Sequence, residues 1–475
     1  MSNITIVGGG LVGSLLAVFL AKRGHAVNVY ERRSDPRKTD VYAGRSINLV
    51  VSQRGWTALR AAGVEEVVKQ IVVPVYARMM HDRDGKLNRV PYSIDNKAIH
   101  SVSRGELNRR LLTEAEKLPN VALHFDHKCL DVDLGTAQCV FERNDEPVSV
   151  KADVVFGSDG AFSAVRAKMM LGRFTYSQEY IEHDYKEVAF PANADGTPKM
   201  DPQCLHIWPR RYYMMMGLAN QDGGFTGTLF MPHTASAVIP EAGRSKIAGP
   251  GHPESHRSSG HAVYPGFDTI RTEAEVTAFF KEHFADAMPI VPDLVQQYLR
   301  NPQSSLVIIR CDPWQVNGKV ALIGDAAHAI IPFYGEGMNA GYEDCKVLND
   351  LLNEHGDDSW PEVLTSYAAK RKPNGDAIAD LSLRNFVEMR DLVADPKFLL
   401  RKKIEGHLQA KHPDQWLPLY SQVKFSDIEY KDAWREGLRH DRIMEEVLAM
   451  PGIEEKWESE EVERRAMGLL ADTNV

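Results

Sequence analysis

The sequence predicts an α/β chain with a parallel-sheet domain, a second and mainly-β domain inserted into it, and a helical C-terminal region. Three observations predict it. The first is the opening stretch, where Ile4-Thr5-Ile6-Val7 leads into Gly8-Gly9-Gly10-Leu11-Val12-Gly13, an apolar helical pattern to Lys22, and a second apolar strand ending in Tyr30-Glu31-Arg32. The second is the recurrence of buried-strand patterns closed by a Gly/Asp pair, Val154-Val155-Phe156-Gly157-Ser158-Asp159-Gly160 and Val320-Ala321-Leu322-Ile323-Gly324-Asp325. The third is a change of period: residues 172–310 read mainly as strands, and everything from Trp360 reads as helix. The expected domains are 1–171 with 305–355, then 172–304, then 356–475.

In the opening stretch each residue has a mechanical task. Gly8 turns the chain tightly out of its strand, Gly10 keeps a side chain away from a pyrophosphate, and Gly13 lets the helix pack close to the sheet. The helix start offers free N–H groups and a positive dipole end to phosphates. Glu31 follows about twenty residues later, where a carboxylate accepts the hydrogen bonds of a ribose diol. Strand, helix and acid in register make this a Rossmann-like dinucleotide site. Residues 1–21 carry no charge, yet no basic residue leads them and glycines interrupt them. A buried strand and helix are expected there, and no signal peptide or membrane span.

Composition narrows the partners. A net charge of −9 over 475 residues gives no basic excess for nucleic acid. Cys129, Cys139, Cys204, Cys311 and Cys345 are scattered and never spaced as CxxC, which predicts reduced thiols in a cytoplasmic protein, no disulfide framework and no metal site. The charged C-terminal end offers no membrane anchor.

Along the chain, Gly44 to Ser52 has a strand-like apolar centre, and residues 54–70 have helical spacing broken at Gly63. Residues 76–92 fit a strand, a turn at Asp82-Arg83-Asp84-Gly85, and a strand. Ser103 is the expected N-cap of the next helix, with Glu106 completing a capping box. Residues 121–151 alternate as a small meander. Leu205-His206-Ile207-Trp208, Tyr212 to Leu218 and Phe225 to Phe230 are strand-like, and the Gly/Pro/Ser/His-rich stretch 234–264 is expected to be a mobile insertion.

The Gly-rich loop, Asp159-Gly160 and Gly324-Asp325 all lie just beyond apolar strands, where ligands of open α/β sheets bind. In this order and spacing they resemble the para-hydroxybenzoate hydroxylase-like, single-component flavoprotein monooxygenases. The resemblance implies that FAD is the cofactor, with NADPH and O2 as co-substrates. It assigns to FAD Gly8, Gly10, Val12, Gly13, Glu31, Arg32, Arg104, Leu130, Asp159, Gly324, Asp325, Gly337, Met338 and Asn339. A helix beginning near Asn339 would turn its N–H groups toward the flavin.

Within that family, Arg45-Ser46-Ile47-Asn48-Leu49, Leu205-His206-Ile207-Trp208-Pro209, the Pro332 to Asn339 segment and Asn385-Phe386-Val387-Glu388-Met389 resemble the kynurenine 3-monooxygenase branch over nearly the whole chain. This implies L-kynurenine as substrate. Arg78, Tyr92, Asn385 and Tyr420 match the positions that bind its amino-acid end, and Phe230, Leu218, Met214, Met216 and Phe333 match the ring pocket. No residue is implied as an essential acid or base. The chemistry of the residues agrees, because an aniline ring with an amino-acid tail needs a carboxylate clamp at one end and an apolar slot at the other. The bland alternatives are an ion pair of Arg78 with Asp82 or Asp84, and an ordinary core strand for Met214 to Met216. Two departures stand out: Glu336 occupies a position where related sequences often carry Gln, and the C-terminal membrane segment of eukaryotic members is missing. The alternatives for the whole chain are a phenol or benzoate hydroxylase and, remotely, a non-catalytic FAD-fold prenyl-protein chaperone of the GDI type.

Overall fold

The computed structural model describes residues 1–38, 47–93, 95–235, 264–392 and 395–472. Part of the 44–52 segment and nearly all of the expected insertion 234–264 lie outside the described residues.

The main sheet has six strands in the order Gln315–Val316, Val320–Leu322, Val154–Gly157, Asn3–Val7, Ala26–Tyr30 and Val121–His124. All pair in parallel except the first. The helix Leu11–Lys22 is apolar all round because it is covered on several sides: it packs on the sheet and against the helices Arg104–Glu116 and Gly337–His355, and Gly13 through Ala21 are all buried. That burial explains the uncharged N-terminal run. Among the described residues no helix is long and apolar enough to cross a membrane.

Ser103 caps the helix Arg104–Glu116 as expected, accepting from the Glu106 N–H. The capping box is not completed. Arg109 and Arg110, one turn on, take both carboxylate oxygens of Glu106 at 2.8 Å.

The second sheet has seven strands in the order Ser304–Asp312, Thr175–Phe190, Phe225–Pro232, Tyr213–Ala219, Cys204–Arg210, Ala77–His81 and Leu87–Pro91. The 77–91 hairpin joins it through parallel pairing that sets Arg78 opposite Leu205. Alternation along the strands gives the sheet two buried faces. Trp208, Tyr213, Met215 and Leu229 pack under Phe279, Phe280 and Phe284, while Ile207, Met214 and Phe230 meet Phe333 and Phe386. The helices Glu273–His283 and Leu294–Arg300 cover the first face, two helices within an otherwise mainly-β stretch. A complete capping box, Thr272 with Glu275, starts the first of them.

The C-terminal region is led by the helix Trp360–Val387. It has a small core of its own, in which Trp416 stacks on His440 at 4.1 Å. Its short helix Leu419–Lys424 faces back toward the two sheets.

Candidate functional site

The carboxyl ends of three parallel strands converge. The Ser158 N–H donates to the Val7 carbonyl at 2.8 Å and the Ile323 N–H to the Gly157 carbonyl at 3.0 Å, bringing the three Gly-containing turns side by side. Gly8 sits at φ +105°, and a side chain there would press on the Ser158 carbonyl at 2.6 Å. At Gly13 a Cβ would stand 2.0 Å from the Gly8 oxygen, so the helix rests directly on the turn. Around Gly10 a Cβ would meet nothing within 4 Å. The loop is therefore packed on two sides and open on the third, which is the cradle a pyrophosphate fills. FAD fits this cradle. Glu31, half-buried, accepts the Gly9 N–H at 2.9 Å and the Arg33 N–H at 3.0 Å, so it braces the loop. Arg32, Arg104 and Leu130 are exposed.

The side chains of several other expected cofactor residues are engaged within the protein. Val12 turns its side chain onto Gly324, whose Cβ would lie 3.0 Å from it, leaving only its main chain for a ligand. Asp159 caps the helix Ala164–Met169, accepting from the Ala164 N–H and the Ser163 hydroxyl at 2.6 Å each. Asn339 stitches the start of its helix to the neighbouring strand: its Nδ2 donates to the Val50 carbonyl at 2.8 Å and its Oδ1 accepts the Ser52 N–H at 3.1 Å. Met338 is buried in the main core. Gly337 opens the helix Gly337–His355, two residues earlier than expected, and Asp325 is exposed nearby. One residue the sequence reading missed is Asn108, whose buried Nδ2 holds the Gly9 carbonyl at 3.0 Å. Its only signal was an amide on the buried face of an amphipathic helix.

Beside Asp325 and Gly335 opens a cavity of about 280 Å³. Leu205, Met216, Leu218 and Phe230 from the second sheet line one wall, Pro332 to Gly335 another, and Arg78, Tyr92 and Tyr420 one end. Phe230 and Phe333 meet with ring centroids 4.8 Å apart. The Arg78 guanidinium lies 4.6 Å over the Tyr420 ring and 5.4 Å from that of Tyr92, and the two tyrosines stack. Arg78 pairs with neither Asp82 nor Asp84. It has no carboxylate partner among the described residues, and its enclosed Nε has no hydrogen bond. Burial pushes the Tyr92 phenol well up, so it stays a proton donor. A guanidinium remains charged at any working pH and needs an anion when enclosed.

Two residues expected at the ligand do not line the cavity. Met214 does not line the cavity, because its side chain is packed in the core cluster with Phe230, Phe333 and Phe386. Asn385 is buried behind the wall, donating to the Phe333 carbonyl at 2.7 Å. It holds the segment that carries Phe333. Asn385→Ala is expected to raise KM about five- to tenfold by loosening that wall, a loss of roughly 1 kcal/mol of hydrogen bonding; steady-state kinetics check it.

Beneath Gly324 runs a buried ionic chain. Asp344 accepts the Gly324 N–H at 3.1 Å, faces the His328 ring at 2.6 Å and pairs with the Arg371 Nε at 2.6 Å. Burial alone would raise its pKa, but His328 and Arg371 hold the Asp344 carboxyl down to about 2. With the folded value below the ordinary carboxylate value of 3.8, its stabilisation is present above that value and lost as pH falls toward 2. Asp344→Asn leaves Arg371 short of a charge and is expected to cost roughly 3–5 kcal/mol. Thermal unfolding at neutral pH measures it, with the difference from wild type shrinking in acid.

The comparisons with known proteins agree with this geometry. The FAD binding domain family matches residues 1–221 and 270–382. A kynurenine 3-monooxygenase of Christiangramia forsetii is 45% identical over 471 residues, covering 98% of each chain. One of Anopheles gambiae is 41% identical over 452 residues, covering 94% of this chain and 86% of that one. Among solved structures, a tetrameric 2-methyl-3-hydroxypyridine-5-carboxylic acid oxygenase superposes with a TM-score of 0.62 at 18% identity, over 83% of this chain and 94% of that one. Pseudomonas aeruginosa PqsL, in complex with 2-aminobenzoylacetate, does so at 0.61 and 18%, over 82% and 97%. At such identities these two structures establish the fold, and the near-complete matches at over 40% identity establish the rest: the chain belongs to the kynurenine 3-monooxygenase family of FAD-dependent monooxygenases.

Proposed function

We propose that this enzyme hydroxylates L-kynurenine at ring position 3, consuming NADPH, a proton and O2 and giving 3-hydroxy-L-kynurenine, NADP⁺ and water. The observation that carries the reading is Arg78, an enclosed guanidinium without a carboxylate partner among the described residues, lining with Tyr92 and Tyr420 an apolar cavity that Asp325 and Gly335 also line. The substrate carboxylate takes the Arg78 charge, with the Tyr92 and Tyr420 hydroxyls donating beside it. Leu218, Met216, Phe230 and Phe333 enclose the aniline ring. FAD, once reduced by NADPH, supplies the activation of O2 and the transfer of one oxygen atom to the ring.

The residues present fit a reaction that asks little acid or base chemistry of the protein. The ring carbon ortho to the amino group is already activated by that nitrogen, so the chain's tasks are to orient the ring and keep water away. The cofactor contacts assigned above are part of the same proposal: Gly8, Gly10, Val12 and Gly13 with their backbone at the pyrophosphate, Glu31 and Arg32 at the adenosine end with Leu130, Arg104 and Asp159 alongside, and Gly324, Asp325, Gly337, Met338 and Asn339 at the flavin end. A cytoplasmic location belongs to this reading and is supported by five cysteines that are all unpaired.

The test is NADPH oxidation by the FAD-loaded enzyme with and without L-kynurenine, with the product identified by mass. Strong stimulation with a product one oxygen heavier is expected. Stimulation by phenols or benzoates, with none by L-kynurenine, would overturn the substrate assignment.

A further inference from the structure

Glu336 stands at the N-cap of the helix Gly337–His355 and is completely buried. A lone carboxylate in such a place is costly unless neutralised. Its Oε1 accepts from the Lys424 Nζ at 2.7 Å, and its Oε2 accepts from the Tyr430 hydroxyl at 2.6 Å and the Ser52 hydroxyl at 3.2 Å. Lys424 is itself only 2% exposed and also donates to the Gly335 carbonyl at 3.3 Å. Nearby, the Arg54 Nε lies 3.7 Å from Glu336, and its NH1 pairs with Glu343 at 2.8 Å. Glu343 also pairs with Arg371, which holds Asp344. Carboxylates and cations thus alternate, three of each, from beneath Gly324 to the cavity, with Lys424 the terminal cation.

The placement of Lys424 gives this pair a function. It sits on the helix Leu419–Lys424 with Tyr420, four residues before it, and both side chains reach the cavity. Lys424 binds the two residues, Gly335 and Glu336, that precede the first helical N–H groups. We propose that Lys424 is a positioning residue of the oxygenation site: its ion pair with Glu336 fixes the turn at 335–337 against the flavin and makes the C-terminal region a constituent of the flavin site. The pair is matched in charge, so the flavin sees a neutral couple although a carboxylate occupies the position where related sequences often carry Gln. This rests on the flavin lying beside the start of that helix.

The experiment is a double-mutant cycle with Glu336→Gln, Lys424→Met and the two combined, in the FAD-loaded full-length enzyme. Bound-flavin reduction potential and thermal unfolding are read alongside kinetics. Lys424→Met leaves a negative charge near the flavin and should lower the potential, while Glu336→Gln leaves a positive one and should raise it. Each single substitution is expected to weaken FAD binding about tenfold. The combined variant should restore the potential, because no charge is left unbalanced, while FAD binding stays about tenfold weaker than wild type, because nothing then ties the helix Leu419–Lys424 to the turn. Should Lys424→Met not fold, the comparison of Glu336→Gln with the combined variant carries the same test: adding Lys424→Met must bring the potential back down and raise the melting temperature. Shifts of the same sign in the two single variants, or a combined variant that binds FAD as tightly as wild type, would overturn the proposal. A wild-type enzyme that holds no flavin would instead remove the reading beneath it.

Discussion

Gly10→Val is expected to purify as a folded but colourless protein, with FAD affinity lowered by about a hundredfold or more. Gly10 has φ −72° and nothing within 4 Å of an added Cβ, so a side chain there starts into open space and asks for no unusual backbone. What it fills is the gap that the pyrophosphate needs. At a helix N-cap the exchange should cost the protein itself only about 1 kcal/mol. Gly13→Ala makes an instructive contrast. Its Cβ would stand 2.0 Å from the Gly8 carbonyl, so that variant should lose both flavin and stability, by about 1–3 kcal/mol. Flavin absorbance after purification and the melting temperature of the flavin-free protein separate the two effects. A yellow Gly10→Val protein would show that the cofactor does not pass over this loop.

Arg78→Ala should raise the KM for L-kynurenine about a hundredfold while kcat changes by no more than roughly threefold. A charge-assisted carboxylate contact contributes about 1.5–3 kcal/mol, and it is made equally before and during oxygen transfer, which takes place at the far end of the molecule. Tyr92 and Tyr420 stack without supplying a formal charge, so they cannot replace it. Arg78→Lys should recover only part of the loss, because an ammonium lacks the planar fork. Substrate titration and steady-state kinetics measure both, and an unchanged KM would remove Arg78 from the carboxylate end.

The elements legible in the sequence were those whose signal is local. Strand, glycines, helix and acid lie within some thirty consecutive residues, and the turn at 82–85 announces its hairpin by composition. The helix Glu273–His283 carries a local signal too, the capping box of Thr272 with Glu275, but the reading of 172–310 as mainly β did not single it out. Arg78 was a different case. Nothing local distinguishes it from a surface arginine beside Asp82, and its place at the cavity follows from a strand pairing with residues more than a hundred positions away. The resemblance supplied that placement. Met214 and Met216 share one face of one strand, so sequence could not say that Phe333 and Phe386 would cover the first and leave the second at the cavity. Asn108, Arg54 and Lys424 escaped because a buried polar side chain is defined by its partner, and each partner is far along the chain.

The parallel pairing of Asn3–Val7 with Val154–Gly157, and of that strand with Val320–Leu322, has a consequence for biosynthesis. The Gly-rich loop is translated well before the segment near 320, yet one wall of its cradle is made only when residues near 320 have been added. Until then the central strand lacks a neighbour, and its edge, bearing apolar side chains, is open to other chains. Such long-range closure makes folding slow relative to local helix formation. A fragment of residues 1–319 would contain the whole N-terminal fingerprint and still retain no flavin, so cofactor capture reports completion of the domain and not merely the presence of its signature.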